Sequence, residues 1–243
     1  MEASKDELTG RWSLTGVEPS EVTFERICKM LLEGENFKFA RYGDGEFNCM
    51  FGKIGRNCDG HEYFPDLGMA LNDAFYSDPE YMVGIQPLSV QGGMYQKAVM
   101  QRDGSPKNIY DADALHSASI DGRWGGFIES LEDRNVIVVG PSHLFALGKA
   151  YPKTFLGRRY ILIPNKNCWL QYAQTVSDIG QLIKENDVIL LAASMMSEVI
   201  LTNFVDFNAT FIDIGSVMDP YCNVLSRRYH HKLQNLNGKM EKN

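Results

Sequence analysis

Long apolar runs alternate with amphipathic stretches along the second half of the chain, and this pattern predicts strands separated by helices. The runs at 136–139 and 188–191 are almost continuously apolar, as strands buried on both faces of a sheet require. We predict strands at 135–140, 160–164, 187–193 and 210–214, and helices at 142–150, 168–185 and 195–206. Because the two kinds of element alternate, the strands are expected to be parallel and joined by right-handed crossovers.

The first half of the chain is less regular. Its apolar spacing predicts helices at 21–32 and 65–76 and strands at 37–41 and 81–86. The segment 88–121 combines helical patches with several Gly and Pro residues, and we expect active-site loops there. The whole pattern predicts an α/β fold with a Rossmann-like, mostly parallel sheet flanked by helices.

Length and composition indicate one principal domain. The chain has 243 residues, of which 44% are hydrophobic and 23% charged, close to the globular average. We expect a loosely ordered N-terminal arm at 1–20, a single α/β domain at 21–225 and a basic tail at 226–243. The tail is interpreted either as a solvated chain end or as a contact to phosphate.

Charge and cysteine content narrow the class of protein. A net charge of −7 argues mildly against a surface that coats nucleic acid. The five cysteines include no Cys-x-x-Cys pair, so they form neither a disulfide framework nor a zinc pattern. No apolar run approaches the roughly 20 residues of a membrane-spanning helix. The acidic N-terminus lacks the apolar core of a signal peptide, so a cytoplasmic protein is expected.

A pair of carboxylates follows the first strand of the predicted sheet, where the sequence is Arg-Tyr-Gly-Asp-Gly-Glu at 41–46. Asp44 and Glu46 lie two residues apart, so on an extended turn both side chains would reach one small volume. Hard oxygen ligands at a strand end suit Mg²⁺ or Mn²⁺ together with substrate phosphates. The alternative is a polar turn that closes the strand, because Gly-Asp-Gly is ordinary turn chemistry.

Polar clusters also follow the later strands. In an open parallel sheet, ligands bind beyond the carboxyl ends of the strands, at a topological switch point. The candidates are Gly140, Pro141 and Ser142 after one strand, Asn165, Lys166 and Asn167 after the next, then Ser194, and finally Asp213 with Asp219. Their repeated occurrence at strand ends predicts a single site at that edge of the sheet.

Several of these residues have a structural alternative. Ser142 either N-caps the helix that follows or lies where helix amides bind a phosphate. Arg41 either pairs with the carboxylates or contacts a departing diphosphate with its planar fork. Asn-Lys-Asn at 165–167 is by itself typical of a solvated turn. The five histidines show no metal spacing and are interpreted as structural.

Three segments resemble one enzyme family. Arg-Tyr-Gly-Asp-Gly-Glu at 41–46 resembles the signature of the GT-D glycosyltransferases, whose Asp-x-Glu motif holds a divalent metal against a nucleotide-sugar diphosphate. Ile-Pro-Asn-Lys-Asn-Cys-Trp at 163–169 is similar to the family's strand ending in Pro-x-Lys-Asn, and Phe-Ile-Asp-Ile-Gly at 211–215 to its late Asp-x-Gly strand end. The three segments occur in the family's order and cover most of 36–222.

The chain departs from the family pattern at two places. Ala-Ser-Met-Met-Ser stands at 193–197 where the family often carries Gly-Pro-Thr. Ser-Val-Met-Asp-Pro-Tyr at 216–221 replaces an acidic-aromatic run found in bacterial members. These departures affect the expected donor sugar and acceptor more than the expected fold.

The resemblance implies a metal-dependent glycosyltransferase with Mn²⁺ or Mg²⁺ on Asp44 and Glu46. The donor would be a UDP-sugar carrying a hexose or a pentose. Lys166 would then neutralise the donor diphosphate, and Asn165 or Asn167 would bind the uracil edge or the ribose.

Two later carboxylates are candidates for acid–base chemistry in such an enzyme. Asp213 or Asp219 would deprotonate the acceptor hydroxyl or support the metal ligands. The structural alternative is a carboxylate that caps a helix.

The acceptor is expected to be a glycan or, in a phage-type DNA-modifying member, a hydroxymethylated base. The compact domain and basic tail favour DNA, whereas the acidic total charge does not, and the base would have to leave the stack. A viral protein would act in the host cytoplasm.

Two other functions compete with glycosyl transfer. One is a metal-dependent phosphoesterase that acts on nucleotides or sugar phosphates, although the few histidines argue against a two-metal centre. The other is a non-catalytic nucleotide-binding module. The chain has neither Gly-x-Gly-x-x-Gly nor a P-loop motif, which argues against a dehydrogenase and a P-loop NTPase.

Overall fold

The computed structural model describes residues 3–5, 12–14, 16–77, 81–86, 109–231 and 233. Its strands are β1 (Ala3–Lys5), β2 (Trp12–Leu14), β3 (Lys38–Tyr42), β4 (Met82–Ile85), β5 (Ile109–Asp111), β6 (Val136–Gly140), β7 (Arg159–Leu162), β8 (Val188–Leu191) and β9 (Thr210–Asp213). Seven of them form one parallel sheet in the order β5-β4-β3-β9-β8-β6-β7. The predicted Rossmann-like α/β fold class is confirmed.

Helices cover both faces of this sheet. They are α1 (Ser20–Leu32), α2 (Asp44–Met50), α3 (Pro65–Ser77), α4 (Ala114–Ile120), α5 (Trp124–Ser130), α6 (Leu147–Ala150), α7 (Pro152–Phe155), α8 (Tyr172–Leu182) and α9 (Ser197–Asn203). Short 3-10 helices occupy Ser142–Ala146, Cys168–Gln171, Ser194–Met196 and Asp219–Cys222.

The apolar runs of the central strands divide between two cores. Along β6, Ile137 and Val139 face the core that contains α2, α3, α8 and α9, while Val136 and Val138 face the core that contains α1 and α4 to α7. The same alternation holds along β8. All five residues of β6 are buried, because successive side chains point to opposite faces and both faces are covered.

The predicted elements differ from the structure mainly at their ends, and the structure adds β1, β2, α2, α5 and α7, which were not predicted. The three helices predicted at 142–150, 168–185 and 195–206 each begin with a 3-10 turn, and their α-helical parts are short. The segment 88–121 contains α4, within the stretch of predicted helical patches, and β5, which was not predicted because a three-residue strand is too short to show alternation. The rest of that segment, up to residue 108, lies outside the described residues.

Within the predicted N-terminal arm, β1 and β2 pair antiparallel. The proposed boundaries of arm, domain and tail stay a prediction. Across the described ranges, no helix is both long and apolar enough to cross a bilayer.

The order of the strands creates a switch point. In the sheet, β4 and then β5 lie on one side of β3, and β9, which comes last in the sequence, lies on its other side. The carboxyl ends of β3 and β9 therefore lie side by side, the position at which open parallel sheets bind ligands.

Candidate functional site

A cavity of about 700 Å³ opens along the carboxyl ends of the sheet. This volume falls within the roughly 300–1,000 Å³ that small-molecule sites occupy. Of the residues singled out in the sequence, it is lined by Arg41, Asp44, Glu46, Pro141, Asn165, Ser194, Asp213 and Asp219. A second, open depression of about 920 Å³ lies near the amino ends of β3 and β4, away from these residues.

Gly140, the last residue of β6, and Ser142, in the turn that follows, lie outside the cavity lining. A Cβ on Gly140 would press against the side chain of Leu144, so this glycine permits close packing. Ser142 is the first residue of a 3-10 helix whose N-cap position is Pro141, and its side chain forms no cap hydrogen bond. The N-cap interpretation of Ser142 is therefore wrong, and the short 3-10 helix does not offer the long α-helical N-terminus that binds phosphate.

Asn167 holds a neighbouring loop in place and does not line the cavity. It has a left-handed φ of 52°, its backbone N–H donates to Nδ1 of His61 at 3.1 Å, and its Oδ1 accepts from the N–H of Glu62 at 2.9 Å. Lys166 lies against the same loop, with its Cε 3.6 Å from where a Cβ on Gly60 would be. Asn165, in contrast, lines the cavity directly.

Asp44 and Glu46 begin a helix instead of lying on an extended turn. Both belong to the first turn of α2, where acidic side chains interact favourably with the helix dipole. A carboxylate oxygen of Glu46 folds back to accept a hydrogen bond from the backbone N–H of Gly43 at 2.8 Å. Asp44 is exposed, and both side chains still line the same cavity. The predicted extended turn is wrong because α2 starts directly after β3, where the carbonyl of Gly43 accepts a hydrogen bond from the N–H of Phe47 at 3.2 Å.

These two carboxylates offer an incomplete ligand set for a metal ion. Among the described residues, no group of three or more His, Cys, Asp or Glu side chains has the geometry to hold a metal. Mg²⁺ and Mn²⁺ are commonly held by one or two carboxylates, with substrate phosphates and water completing the shell. The donor set of Asp44 and Glu46 fits such an ion and does not fit a structural zinc site.

Burial changes the acid–base behaviour of the inner carboxylate. Loss of solvent raises the pKa of Glu46 to about 7, and the nearby charge of Asp213 acts in the same direction. The charge of Arg41 opposes this shift, and a metal cation bound at this carboxyl group would also favour its ionised form.

Arg41 occupies the floor of the cavity. Its Nε donates to the carbonyl of Ala112 at 2.6 Å, and one terminal nitrogen lies 3.0 Å from Nδ1 of His116. Its guanidinium pairs with Asp213 at 3.7 Å and with Asp113 at 3.9 Å. Burial and the charge of Arg41 hold the pKa of His116 well below its ordinary value, so this ring is a neutral acceptor. Arg41 thus forms ion pairs with Asp213 and Asp113. The sequence analysis had considered a pairing with Asp44 and Glu46 instead.

Asp213 shares a buried network with a carboxyl group that the sequence analysis missed. Glu198, in the first turn of α9, hydrogen-bonds Asp213, and both side chains are buried. Burial and the charge of Asp213 raise the pKa of Glu198 well above its ordinary value. Two adjacent carboxylates do not both ionise in such a site. Burial raises the pKa of Asp213 as well, but the charge of Arg41 opposes that shift, so the proton of the pair is more stable on Glu198.

A second carboxylate, Asp219, pairs with a histidine. Nε2 of His143 lies 2.8 Å from Oδ1 of Asp219, and the hydroxyl of Ser226 donates to the other carboxylate oxygen. His143 and Asp219 both line the cavity. Sequence reasoning treated His143 as structural, because nothing local links two residues that are 76 positions apart.

The first residues of the predicted basic tail form one wall of the cavity. Arg227 forms an ion pair with Asp59 and donates to the hydroxyl of Ser216 at 3.2 Å. The ring of Tyr229 packs edge-on against His116, with 5.3 Å between ring centroids. The described part of this segment therefore contacts the candidate site.

Comparison with known proteins identifies the fold. No protein-family model and no curated protein matches the chain. The solved structure of the domain of unknown function 1792, described as having a distinct glycosyltransferase fold, matches with a TM-score of 0.61 and 14% identity over 84% of each chain. A structure described as a new glycosyltransferase (DUF1792) from Streptococcus sanguinis matches with a TM-score of 0.62 and 16% identity, over 82% of this chain and 81% of that one. The chain adopts the glycosyltransferase-type α/β fold of these domains.

Proposed function

We propose that this protein is a metal-dependent glycosyltransferase that moves a hexose or pentose from a UDP-sugar to an acceptor hydroxyl. One observation carries the proposal: Asp44, Glu46, Arg41 and Asn165 line a single cavity at the switch point of the sheet. The fold, shared with structures described as glycosyltransferases, supports it. A cavity of this size accommodates a nucleoside diphosphate together with part of a sugar.

The donor would bind with its diphosphate toward α2. Asp44 and Glu46 would hold Mn²⁺ or Mg²⁺, which supplies positive charge to the leaving diphosphate when it is bound. Asn165 would contact the base or ribose from the end of β7. Lys166 would add a cation to the diphosphate from beside the loop at 57–61, four of whose residues line the cavity.

Arg41 would offer a positive charge, already held in a fixed position, to the same diphosphate. Its side chain is 15% exposed, and its guanidinium is held by the carbonyl of Ala112 and by Asp213. A cation held in this way does not lose side-chain freedom when an anion arrives. Arg41 would therefore stabilise negative charge at the floor of the cavity without leaving its ion pairs.

The acceptor would be a glycan or a hydroxymethylated base in DNA. A glycan hydroxyl and the hydroxymethyl group of a modified base present the same nucleophile, a primary or secondary alcohol. Arg228 is exposed beside the cavity wall formed by Arg227 and Tyr229, so a phosphate backbone would find a cation there. Parallel assays with hydroxymethylated oligonucleotides and with oligosaccharides distinguish the two acceptors.

Turnover of the donor tests the function. The protein is incubated with UDP-sugars, Mn²⁺ and acceptors, and nucleotide products are separated by chromatography. Release of UDP that depends on acceptor and metal, and that is lost in Asp44→Asn, supports glycosyl transfer. Asp73→Asn is the matched control, since Asp73 is exposed on α3 and away from the cavity. Release of UMP or inorganic phosphate would indicate a phosphoesterase, and no product would indicate a binding module.

A further inference from the structure

The His143–Asp219 pair has the geometry of an oriented base. Asp219 begins the 3-10 helix Asp219–Cys222, which packs against the 3-10 helix that carries His143. The carboxylate of Asp219 is held from two sides, by Nε2 of His143 at 2.8 Å and by the hydroxyl of Ser226. The imidazole is thus fixed by a partner that is itself fixed.

This contact determines the tautomer of His143. A carboxylate accepts hydrogen bonds, so the ring nitrogen beside it, Nε2, carries the proton. The other nitrogen, Nδ1, keeps a lone pair and has no hydrogen-bond partner among the residues that the structure describes. The side chain is 23% exposed and lines the cavity. A partly exposed imidazole with an unused lone pair, on a side chain that lines the cavity, has what a general base requires.

The two aspartates are less suitable as bases. Asp213 is 4% exposed, hydrogen-bonded to Glu198 and ion-paired with Arg41. Asp219 is 7% exposed, and both of its oxygens have partners. Each carboxylate is therefore engaged by neighbours that would compete with an acceptor hydroxyl for its oxygens.

We propose that His143 is the general base of the transfer and that Asp219 is the positioning residue that orients it, an inference that rests on the proposed glycosyl transfer. The acceptor oxygen forms a bond to the anomeric carbon while the bond from that carbon to the diphosphate oxygen breaks. The electron pair leaves with UDP. The acceptor proton moves to Nδ1 of His143, and the imidazolium that results is stabilised by Asp219.

The test compares His143→Ala, Asp219→Asn and the control His231→Gln, since His231 is exposed and outside the cavity lining. In His143→Ala, kcat should fall by about 10²–10⁴-fold, the usual contribution of a general base, while affinity for UDP with Mn²⁺ stays unchanged. Imidazole, or azide as a nucleophile that needs no base, should restore turnover in His143→Ala. Asp219→Asn should lower kcat without responding to imidazole, because the ring of His143 still occupies the place that added imidazole would take. His231→Gln should match the wild type.

Two results would overturn the assignment. One is a kcat within tenfold of wild type in His143→Ala, and the other is a loss that neither imidazole nor azide restores. If the proposed glycosyl transfer itself is wrong, the wild-type protein will show it. It will then bind UDP or a UDP-sugar without transferring the sugar, or it will bind neither.

Discussion

Arg41 and Gly215 meet where β3 and β9 end side by side, and the guanidinium of Arg41 fills the space that a side chain at position 215 would need. Gly215 also has a left-handed φ of 50°, a conformation that residues with a Cβ rarely adopt. The glycine after Asp213 is therefore needed both by the turn and by the cation on the floor of the cavity.

We expect Gly215→Ala to lower the free energy of unfolding by about 1–3 kcal/mol, because it combines a strained backbone with displacement of Arg41. Urea denaturation measures this change. Gly180→Ala is the control, since Gly180 lies in α8 with open space around its Cβ position, and there alanine should stabilise by about 0.5–1 kcal/mol. Equal stability of the two variants would contradict the proposed contact.

Asp44→Asn and Glu46→Gln should each abolish turnover while the protein stays folded. The amide oxygen of glutamine can still accept the hydrogen bond from Gly43, so α2 should keep its first turn. The loss in kcat/KM should exceed the roughly 10–100-fold cost of removing a supporting residue at a metal site. Circular dichroism and turnover assays check both parts. Normal activity in both variants would remove the metal hypothesis.

Lys166→Ala should weaken donor binding. A hydrogen bond to a charged group contributes about 1.5–3 kcal/mol, so KM for the donor should rise roughly tenfold or more with little change in kcat. Steady-state kinetics with varied donor measure this, with Lys149→Ala as a control on an exposed lysine of α6. A loss confined to acceptor affinity would show that the donor nucleotide does not bind beside Lys166.

Stability should fall at acidic pH through His230. This buried ring accepts a hydrogen bond from the N–H of Arg227, and burial lowers its pKa from 6.5 to about 4. The charges of Asp219 and Asp59 oppose that shift, and those of Arg227 and His231 favour it. The unfolded chain therefore binds a proton between pH 6.5 and 4 that the folded chain does not. The stability that the fold gains from keeping this ring neutral is fully present above pH 6.5 and is lost as the pH falls toward 4.

Thermal melts of wild type and His230→Gln across this range check the sign. As the pH falls from 6.5 to 4, the wild type should lose stability relative to His230→Gln, with a slope of at most about 1.4 kcal/mol per pH unit. His231→Gln, at the exposed neighbour, should follow the wild type. Identical profiles for wild type and His230→Gln would contradict the assignment.

The fold and the place of the site could be predicted from sequence because both depend on strong local patterns. β6 and β8 are buried on both faces, so they appear as apolar runs with little ambiguity. Polar residues directly after such strands must converge at one edge of a parallel sheet. Asp44 and Asp213, far apart in sequence, line one cavity for this reason.

The partners within the site could not be predicted in the same way. Glu198 lies in the first turn of a helix, where an acidic residue is ordinary, and its burial against Asp213 results from tertiary packing. The contacts between His143 and Asp219 and between Arg227 and Asp59 span 76 and 168 positions. No spacing rule links such residues, because loops of different strands bring them together.

The most direct test of the central claim is a calorimetric titration with UDP, with and without Mn²⁺, of wild type and Asp44→Asn. Wild type should bind UDP tightly when Mn²⁺ is present and much more weakly without it, and Asp44→Asn should lose the metal-dependent part of the binding. Binding of UDP that is equally strong without Mn²⁺ and in Asp44→Asn would contradict a metal-assisted donor site at these carboxylates.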